Sequence, residues 1–126
     1  DMEHVMVVHG EDGLDEISIT GPTNVSEYKD FKINEYAICP EDFGIASAPF
    51  EDIAAESSEE SLRMVQEAFA GEKSAVQDMI ALNSGAALYI ARKVDSISEG
   101  VELAFDLMNN GKAADKLAAY VRVSNI

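Results

Sequence analysis

The spacing of apolar positions changes about halfway along this chain. In the first half the apolar residues form short runs that are typical of strands. The run His4–Val8 is continuously apolar after its first residue, which predicts a short buried strand of a parallel sheet. Ile17–Thr20 alternates apolar and polar residues, which predicts a half-buried strand. Val25–Tyr28 and Ile33–Ile38, on either side of residues 29–32, predict an antiparallel hairpin.

Helical spacing takes over after residue 56, where apolar residues recur with a period near 3.6. Capping boxes that begin at Ser57 and Ser96 mark two helix starts. The segment Met79–Ala91 is apolar nearly all round, so we expect its helix to be the buried one. The pattern predicts four helices in all: one from Ser57 to Gly71, one over 73–93, one from Ser96 to Asn109, and a last one that carries Ala114, Leu117 and Val121 and becomes extended at 121–123.

These elements predict an α/β fold. Short N-terminal strands, one from a parallel sheet and two in a hairpin, are followed by four helices. A length of 126 residues corresponds to one domain. The chain begins at Asp1, directly before the first strand. We therefore expect a single partial domain over residues 1–126, an incomplete piece of a larger α/β domain.

The charge and the cysteine content narrow the choice of partners. A net charge of −15 argues against nucleic acid and against anionic membranes, because both bind basic surfaces. No run of about 18 apolar residues occurs, so we expect no membrane span. The single cysteine, Cys39, excludes an internal disulfide framework and fits a cytoplasmic protein. We expect Cys39 to be a small hydrophobic core residue.

A cluster of acids follows the first predicted strand. Glycines at 10 and 13 allow the backbone to turn tightly there. No Lys or Arg precedes Lys29, so no nearby cation in the sequence neutralises these acids, and a divalent metal is the candidate partner. Four carboxylates crowd into residues 11–16: Glu11, Asp12, Asp15 and Glu16.

The spacing of these acids favours magnesium over other carboxylate chemistry. An EF-hand needs glycine at its sixth position, where this chain has Glu16 or Ile17. Neighbours such as Asp15 and Glu16 poorly suit glycoside hydrolysis, whose carboxylates stand on opposite sides of a sugar. Mg²⁺ is typically held by one or two carboxylates together with substrate phosphates. The alternative is a solvated loop in which Asp12 caps a turn.

The string VVHGEDGLDEISITGPT, residues 7–23, resembles the acidic loop of the anthranilate phosphoribosyltransferases. The resemblance covers essentially the whole chain, but only about the C-terminal third of the family's enzyme. Three later stretches agree with that family in the same order: Pro40–Gly44, Val76–Ala87 and Asn110–Ala114.

The resemblance implies an activity and a metal site. Enzymes of this family transfer ribose 5-phosphate from phosphoribosyl pyrophosphate to the amine of anthranilate, in tryptophan biosynthesis. The resemblance implies that Asp15 and Glu16 bind a Mg²⁺ ion that helps to hold phosphoribosyl pyrophosphate. It assigns no catalytic residue in this chain, and it leaves Glu11 and Asp12 as electrostatic background.

Two of the family's segments are missing from the chain. The strings G-T-G-G-D, for the pyrophosphate, and N-H-G-N-R, for the substrates, occur nowhere in it. We therefore expect the longer parent protein to be the enzyme and this piece to be inactive alone. The core DGLDE also resembles pyrimidine nucleoside phosphorylases, so a phosphorylase relative stays open. A further alternative is a non-catalytic acidic module that binds a basic partner.

Other polar residues have structural and functional interpretations. Asn83 could be a ligand, or it could be a core amide with its hydrogen bonds satisfied. His9 could have a chemical role, as a base or a ligand, or it could be a hydrogen-bonded structural residue. We expect the structural role for both, and we expect His4 at the surface. Residues 83–86 are small enough for a neighbouring backbone to approach closely. An unpaired edge of strand 4–8 predicts a homo-oligomer.

Overall fold

A computed structural model of the chain describes residues 2–125, so Asp1 and Ile126 lie outside it. Short turns of 3-10 helix at Pro40–Phe43 and Phe50–Asp52 connect the strands to the helices. None of the helices in the described part is long and apolar enough to cross a membrane. The elements are β1 (His4–Gly10), β2 (Thr23–Lys29), β3 (Lys32–Ile38), α1 (Ser58–Phe69), α2 (Ala75–Ile90), α3 (Ile97–Asn109) and α4 (Lys112–Ser124). The predicted α/β class with four helices is confirmed.

The strands form one antiparallel sheet in the order β1-β2-β3. The predicted hairpin is confirmed as β2–β3, whose turn holds Asp30 and Phe31 at φ values of 50° and 63°. Within residues 2–125 the sheet differs from one expectation: strand 4–8 was expected in a parallel sheet, and its only partner there, β2, is antiparallel to it. The reason is the connection after β1, which reverses the chain direction. An apolar run alone does not encode the direction of its partner strand.

Two further segments differ from their predicted structure. Ile17–Thr20 is an irregular segment rather than a strand, and its first three residues are all buried. The Ile19 carbonyl accepts a hydrogen bond from the Ala48 amide at 3.0 Å, which is a contact to a distant loop rather than to a strand. The segment 121–123 is helical, because α4 continues to Ser124. In the first segment, contacts with a distant part of the chain override the short local pattern. In the second, the helix simply continues through it.

Helix α2 contributes buried residues to the core, but α3 does so in similar proportion, so the expectation that α2 would be the one buried helix is met only in part. The closest neighbour of α2 is α3, and the two backbones meet at Gly85 and Gly100. A Cβ atom on Gly85 would lie 2.6 Å from the Val101 amide nitrogen, and one on Gly100 would overlap the Gly85 carbonyl oxygen. The expectation that residues 83–86 allow a neighbouring backbone to approach is therefore confirmed. The buried residues of α2 are Gln77, Ala81, Leu82, Gly85 and Ala86.

A buried carboxylate connects the sheet to the end of α2. Glu27 on β2 is 7% exposed, and its oxygens accept hydrogen bonds from the hydroxyls of Tyr36 and Tyr89, each at 2.7 Å. The His4 Nε2 atom also lies 2.7 Å from a Glu27 oxygen. The His4 ring packs edge-on against Tyr89 with centroids 4.8 Å apart. The cluster therefore holds all three strands against α2.

The position of His4 corrects the sequence-based expectation. Its side chain is 3% exposed, whereas we expected it at the surface. The cause is its partner, because Glu27 points to the inner face of the sheet and a buried carboxylate needs hydrogen-bond donors. Burial raises the pKa of Glu27, but hydrogen bonds from Tyr36, Tyr89 and His4 lower it more, and the net pKa lies below 4.5.

Substitution of Gly85 tests the helix crossing. We expect Gly85→Ala to lower the free energy of unfolding by about 1–3 kcal/mol, because the new methyl group would overlap the α3 backbone. Helix propensity alone would favour alanine by about 1 kcal/mol, so the sign of the change identifies the clash. Gly21→Ala is the control, since a Cβ there has no atom within 4 Å. Urea denaturation measures both, and equal stability of Gly85→Ala and wild type would contradict the crossing.

The Glu27 cluster predicts a pH-dependent contribution to stability. Because the folded-state pKa of Glu27 is lowered, its ionised form stabilises the fold above about pH 4.5, and this contribution is lost as pH falls through the folded pKa. We expect Glu27→Gln to cost about 1–3 kcal/mol near neutral pH, with a smaller difference from wild type near pH 3. Denaturation across this pH range measures it. Glu102→Gln, an exposed change on α3, is the control, and a pH-independent loss in Glu27→Gln would contradict the prediction.

Candidate metal site in the loop after β1

The acidic loop, residues 11–22, connects β1 to β2. Two backbone hydrogen bonds close its first turn, from the Gly10 amide to the Leu14 carbonyl and from the Gly13 amide to the Gly10 carbonyl, both at 2.9 Å. Gly13 has a φ of 94°, a conformation that favours glycine. The turn that the two glycines predicted is therefore present, and its backbone is ordered by its own hydrogen bonds.

Asp12 holds the two arms of the acidic loop together. One of its oxygens accepts the Leu14 amide at 3.0 Å, which caps the turn. The other accepts the hydroxyls of Ser18 and Thr20, at 2.5 and 2.7 Å. These hydrogen bonds, first that of Ser18 and then that of Thr20, lower the pKa of Asp12 below its ordinary value. Asp12 is therefore an ionised structural residue, as the turn-capping alternative predicted.

Asp15 and Glu16 lie at the outer part of the loop and are both exposed. Within residues 2–125, no hydrogen bond or salt bridge of the structure engages either carboxylate. Glu16 also lines an apolar groove of about 340 Å³ between the loop and α2. The other groove residues are Leu14, Phe50, Ile53, Val76, Met79, Ile80 and Asn83.

The carboxylates of Asp15 and Glu16 suit a hard divalent cation whose other ligands are not protein side chains. In the described part of the chain, no group of three or more His, Cys, Asp or Glu side chains could hold a metal ion. Two adjacent carboxylates, Asp15 and Glu16, would leave the remaining positions of an octahedral ion to water or to phosphate oxygens. That arrangement is the usual one for Mg²⁺. The carboxylate chemistry therefore fits the ion that the resemblance implied.

Asn83, on α2, contacts the loop directly after the acid pair. Its Oδ1 accepts the Ile17 amide at 2.8 Å, and its Nδ2 donates to the Ile17 carbonyl at 2.9 Å. The Nδ2 also donates to the Met79 carbonyl, one turn earlier on α2, at 3.0 Å. Of the two alternatives for Asn83, the structure favours the satisfied amide. The sequence signal was an amide in an otherwise apolar helix, but its partner lies 66 residues away.

His9 and Cys39 differ from their expected environments. His9 is exposed near the end of β1, and within residues 2–125 its ring has no hydrogen-bond partner, so the expected hydrogen-bonded role is absent there. Cys39 is half-buried and free rather than part of the core. Its amide donates to the Asp42 side chain at 2.8 Å, which places it at the start of a 3-10 turn. Neither residue adds a ligand to the candidate site.

Comparison with known proteins finds close relatives over nearly the whole chain. Residues 1–114 match the family described as "Glycosyl transferase family, a/b domain". The anthranilate phosphoribosyltransferase of Halorhodospira halophila is 45% identical over 119 residues, which are 94% of this chain and 35% of that protein. That of Alkalilimnicola ehrlichii is 48% identical over 118 residues, again 94% and 35%. The chain thus spans about a third of the length of the curated relatives it matches.

Solved structures agree with the fold. Anthranilate phosphoribosyltransferase from Thermus thermophilus superimposes with a TM-score of 0.85 at 36% identity, over 94% of this chain and 35% of that one. The enzyme from Saccharomyces cerevisiae in complex with PRPP and Mg gives a TM-score of 0.84 at 23% identity, over 96% and 35%. The arrangement of three strands and four helices is therefore that of a segment of these larger chains.

Proposed function

This chain belongs to the glycosyl transferase family, a/b domain, and we propose that it forms about the C-terminal third of an anthranilate phosphoribosyltransferase. The observation that carries the proposal is the 45% identity to such an enzyme over 94% of the chain. The reaction is phosphoribosyl transfer from phosphoribosyl pyrophosphate to anthranilate, in tryptophan biosynthesis. Both molecules are proposed as substrates of the longer protein.

We propose that Asp15 and Glu16 hold a Mg²⁺ ion for this reaction. Three features support the assignment: both carboxylates are exposed, no other side chain of the described residues engages them, and the loop around them is ordered. A relative of the same fold is described in complex with PRPP and Mg. When bound, the ion would neutralise negative charge on the pyrophosphate leaving group.

The remaining chemistry needs no nucleophile from this chain. The amine of anthranilate attacks the sugar carbon, so the protein's task is to hold the two substrates and the charge of the leaving group. This chain would contribute the acid pair, whereas the missing G-T-G-G-D and N-H-G-N-R segments would come from the rest of the longer protein. A cytoplasmic location and a homo-oligomer stay predictions of the sequence.

The alternatives are less well supported. The relatives described above are named anthranilate phosphoribosyltransferases, which favours that transferase over a pyrimidine nucleoside phosphorylase. An acidic module that binds a basic partner would need a defined surface patch of concentrated negative charge, in addition to the acids that are spread along the whole chain. The family match over residues 1–114 favours a piece of an enzyme over such a module.

The metal assignment predicts a loss of divalent-ion binding. We expect Asp15→Asn with Glu16→Gln to weaken binding of Mn²⁺, used as a probe for Mg²⁺, by about tenfold or more, because the only proposed protein ligands lose their charge. Electron paramagnetic resonance of free Mn²⁺ measures binding to the chain. The unfolding free energy should change by less than about 0.5 kcal/mol, since both residues are exposed.

The matched control removes the same number of negative charges at another place on the surface. Glu102 and Asp106 are exposed acids on α3, so Glu102→Gln with Asp106→Asn removes two negative charges without touching the acidic loop. We expect this control to bind Mn²⁺ nearly as well as wild type. Equal weakening in both double variants would show that only the overall charge attracts the ion, and would overturn the assignment.

The missing segments predict that this chain has no activity by itself. We expect no phosphoribosyl anthranilate from the purified chain with anthranilate, Mg²⁺ and phosphoribosyl pyrophosphate, because the chain lacks the family's pyrophosphate segment. A fluorescence assay of anthranilate consumption measures this, with an intact family enzyme as the positive control. Turnover that persists through repurification would contradict the prediction.

A further inference from the structure

We infer that Asn83 is a positioning residue for the metal site: its amide fixes the backbone at Ile17 and so sets the direction in which Asp15 and Glu16 present their carboxylates. The inference rests on the proposed function, because it assigns a role at the proposed magnesium site. Asn83 would touch neither the ion nor the substrates. It would act only through the acidic loop.

The contact between Asn83 and Ile17 has the pattern of a strand ladder. One side-chain amide accepts the Ile17 N–H at 2.8 Å and donates to the Ile17 C=O at 2.9 Å. Two hydrogen bonds to a single residue restrain both the position and the orientation of its backbone, whereas one bond would leave it free to rotate. The further bond to the Met79 carbonyl fixes the rotamer of Asn83 itself. The loop is therefore held to α2 at a defined point.

The helix that provides this contact packs closely against the core. Leu82, the residue before Asn83, is fully buried, and Gly85 lies against the α3 backbone. A side chain anchored on such a helix has a well-defined position. Asn83 can therefore hold the loop at a fixed position relative to the core.

The loop has a second anchor on the other side of the acid pair. Leu14 is held at its amide by Asp12 and at its carbonyl by the Gly10 amide. Ile17 is held by Asn83, as described above. Asp15 and Glu16 are thus the only residues between the two anchors. This placement leaves their side chains exposed while limiting where their backbone can move.

Replacement of Asn83 will also affect stability, so the test needs a control with a similar cost. Ile17 is 3% exposed, and its backbone groups would be left without a partner in Asn83→Leu. Gln77 is a buried amide on α2, and its Nε2 donates to the Ala68 carbonyl at 3.1 Å and to the Asn109 Oδ1 at 3.2 Å, and not to the loop. Gln77→Leu therefore removes two side-chain hydrogen bonds of α2 without changing a contact to the acidic loop.

The experiment compares three properties in Asn83→Leu, Gln77→Leu and wild type: Mn²⁺ affinity, hydrogen exchange at the Ile17 amide, and the thermal midpoint. We expect both variants to lower the midpoint. Only Asn83→Leu should speed exchange at Ile17 and weaken Mn²⁺ binding, by about tenfold, the scale seen when residues that orient metal ligands are removed. If Asn83→Leu does not fold, Asn83→Ser replaces it, because serine is smaller and cannot span both contacts.

The outcomes separate this inference from the proposed metal site. Mn²⁺ binding that does not depend on Asp15 and Glu16 would overturn the metal site, and the positioning role with it. Mn²⁺ binding that depends on the acid pair but is unchanged in the Asn83 variants would overturn the positioning role alone. Equal weakening in Asn83→Leu and Gln77→Leu would show a general effect of stability, and would also overturn it.

Discussion

The close approach of α2 and α3 at Gly85 and Gly100 is the constraint on which the rest of this structure depends. Because neither glycine has a side chain, the two helix backbones touch, and one face of α2 is held closely against α3. Leu82, on the same helix, is consequently fully buried. Each polar residue that α2 carries toward the sheet thereby has a defined position relative to the strands.

Two polar side chains of α2 contact the rest of the fold from this fixed position of the helix. Asn83 reaches the loop after β1, and Tyr89 reaches the carboxylate of Glu27 on β2. The first contact fixes a backbone and the second satisfies a buried charge. Both are polar contacts across a largely apolar interface, where a group left without a partner is costly. The register between helix and sheet is therefore specified by hydrogen bonds as well as by packing.

The acidic loop divides its carboxylates between two tasks. Asp12 is occupied by hydroxyl and amide donors, which keep it ionised without a positive partner. Asp15 and Glu16 have no such donors among the described residues and stay exposed to solvent. In a chain with a net charge of −15, a cation from solution is the natural partner for such a pair. The order of the loop comes from Asp12 and Asn83, and its proposed chemistry comes from the two residues between their anchors.

The sequence by itself determined the elements whose signals are local. The capping serines, the helical spacing, the β2–β3 hairpin and the acid string VVHGEDGLDE are each encoded within a few neighbouring residues. Only the tertiary structure decided the antiparallel partner of β1, the buried place of His4 and the irregular path of Ile17–Thr20. Each of these depends on a contact between residues far apart in the chain, such as Asn83 with Ile17, and a short pattern in the sequence does not record such a partner.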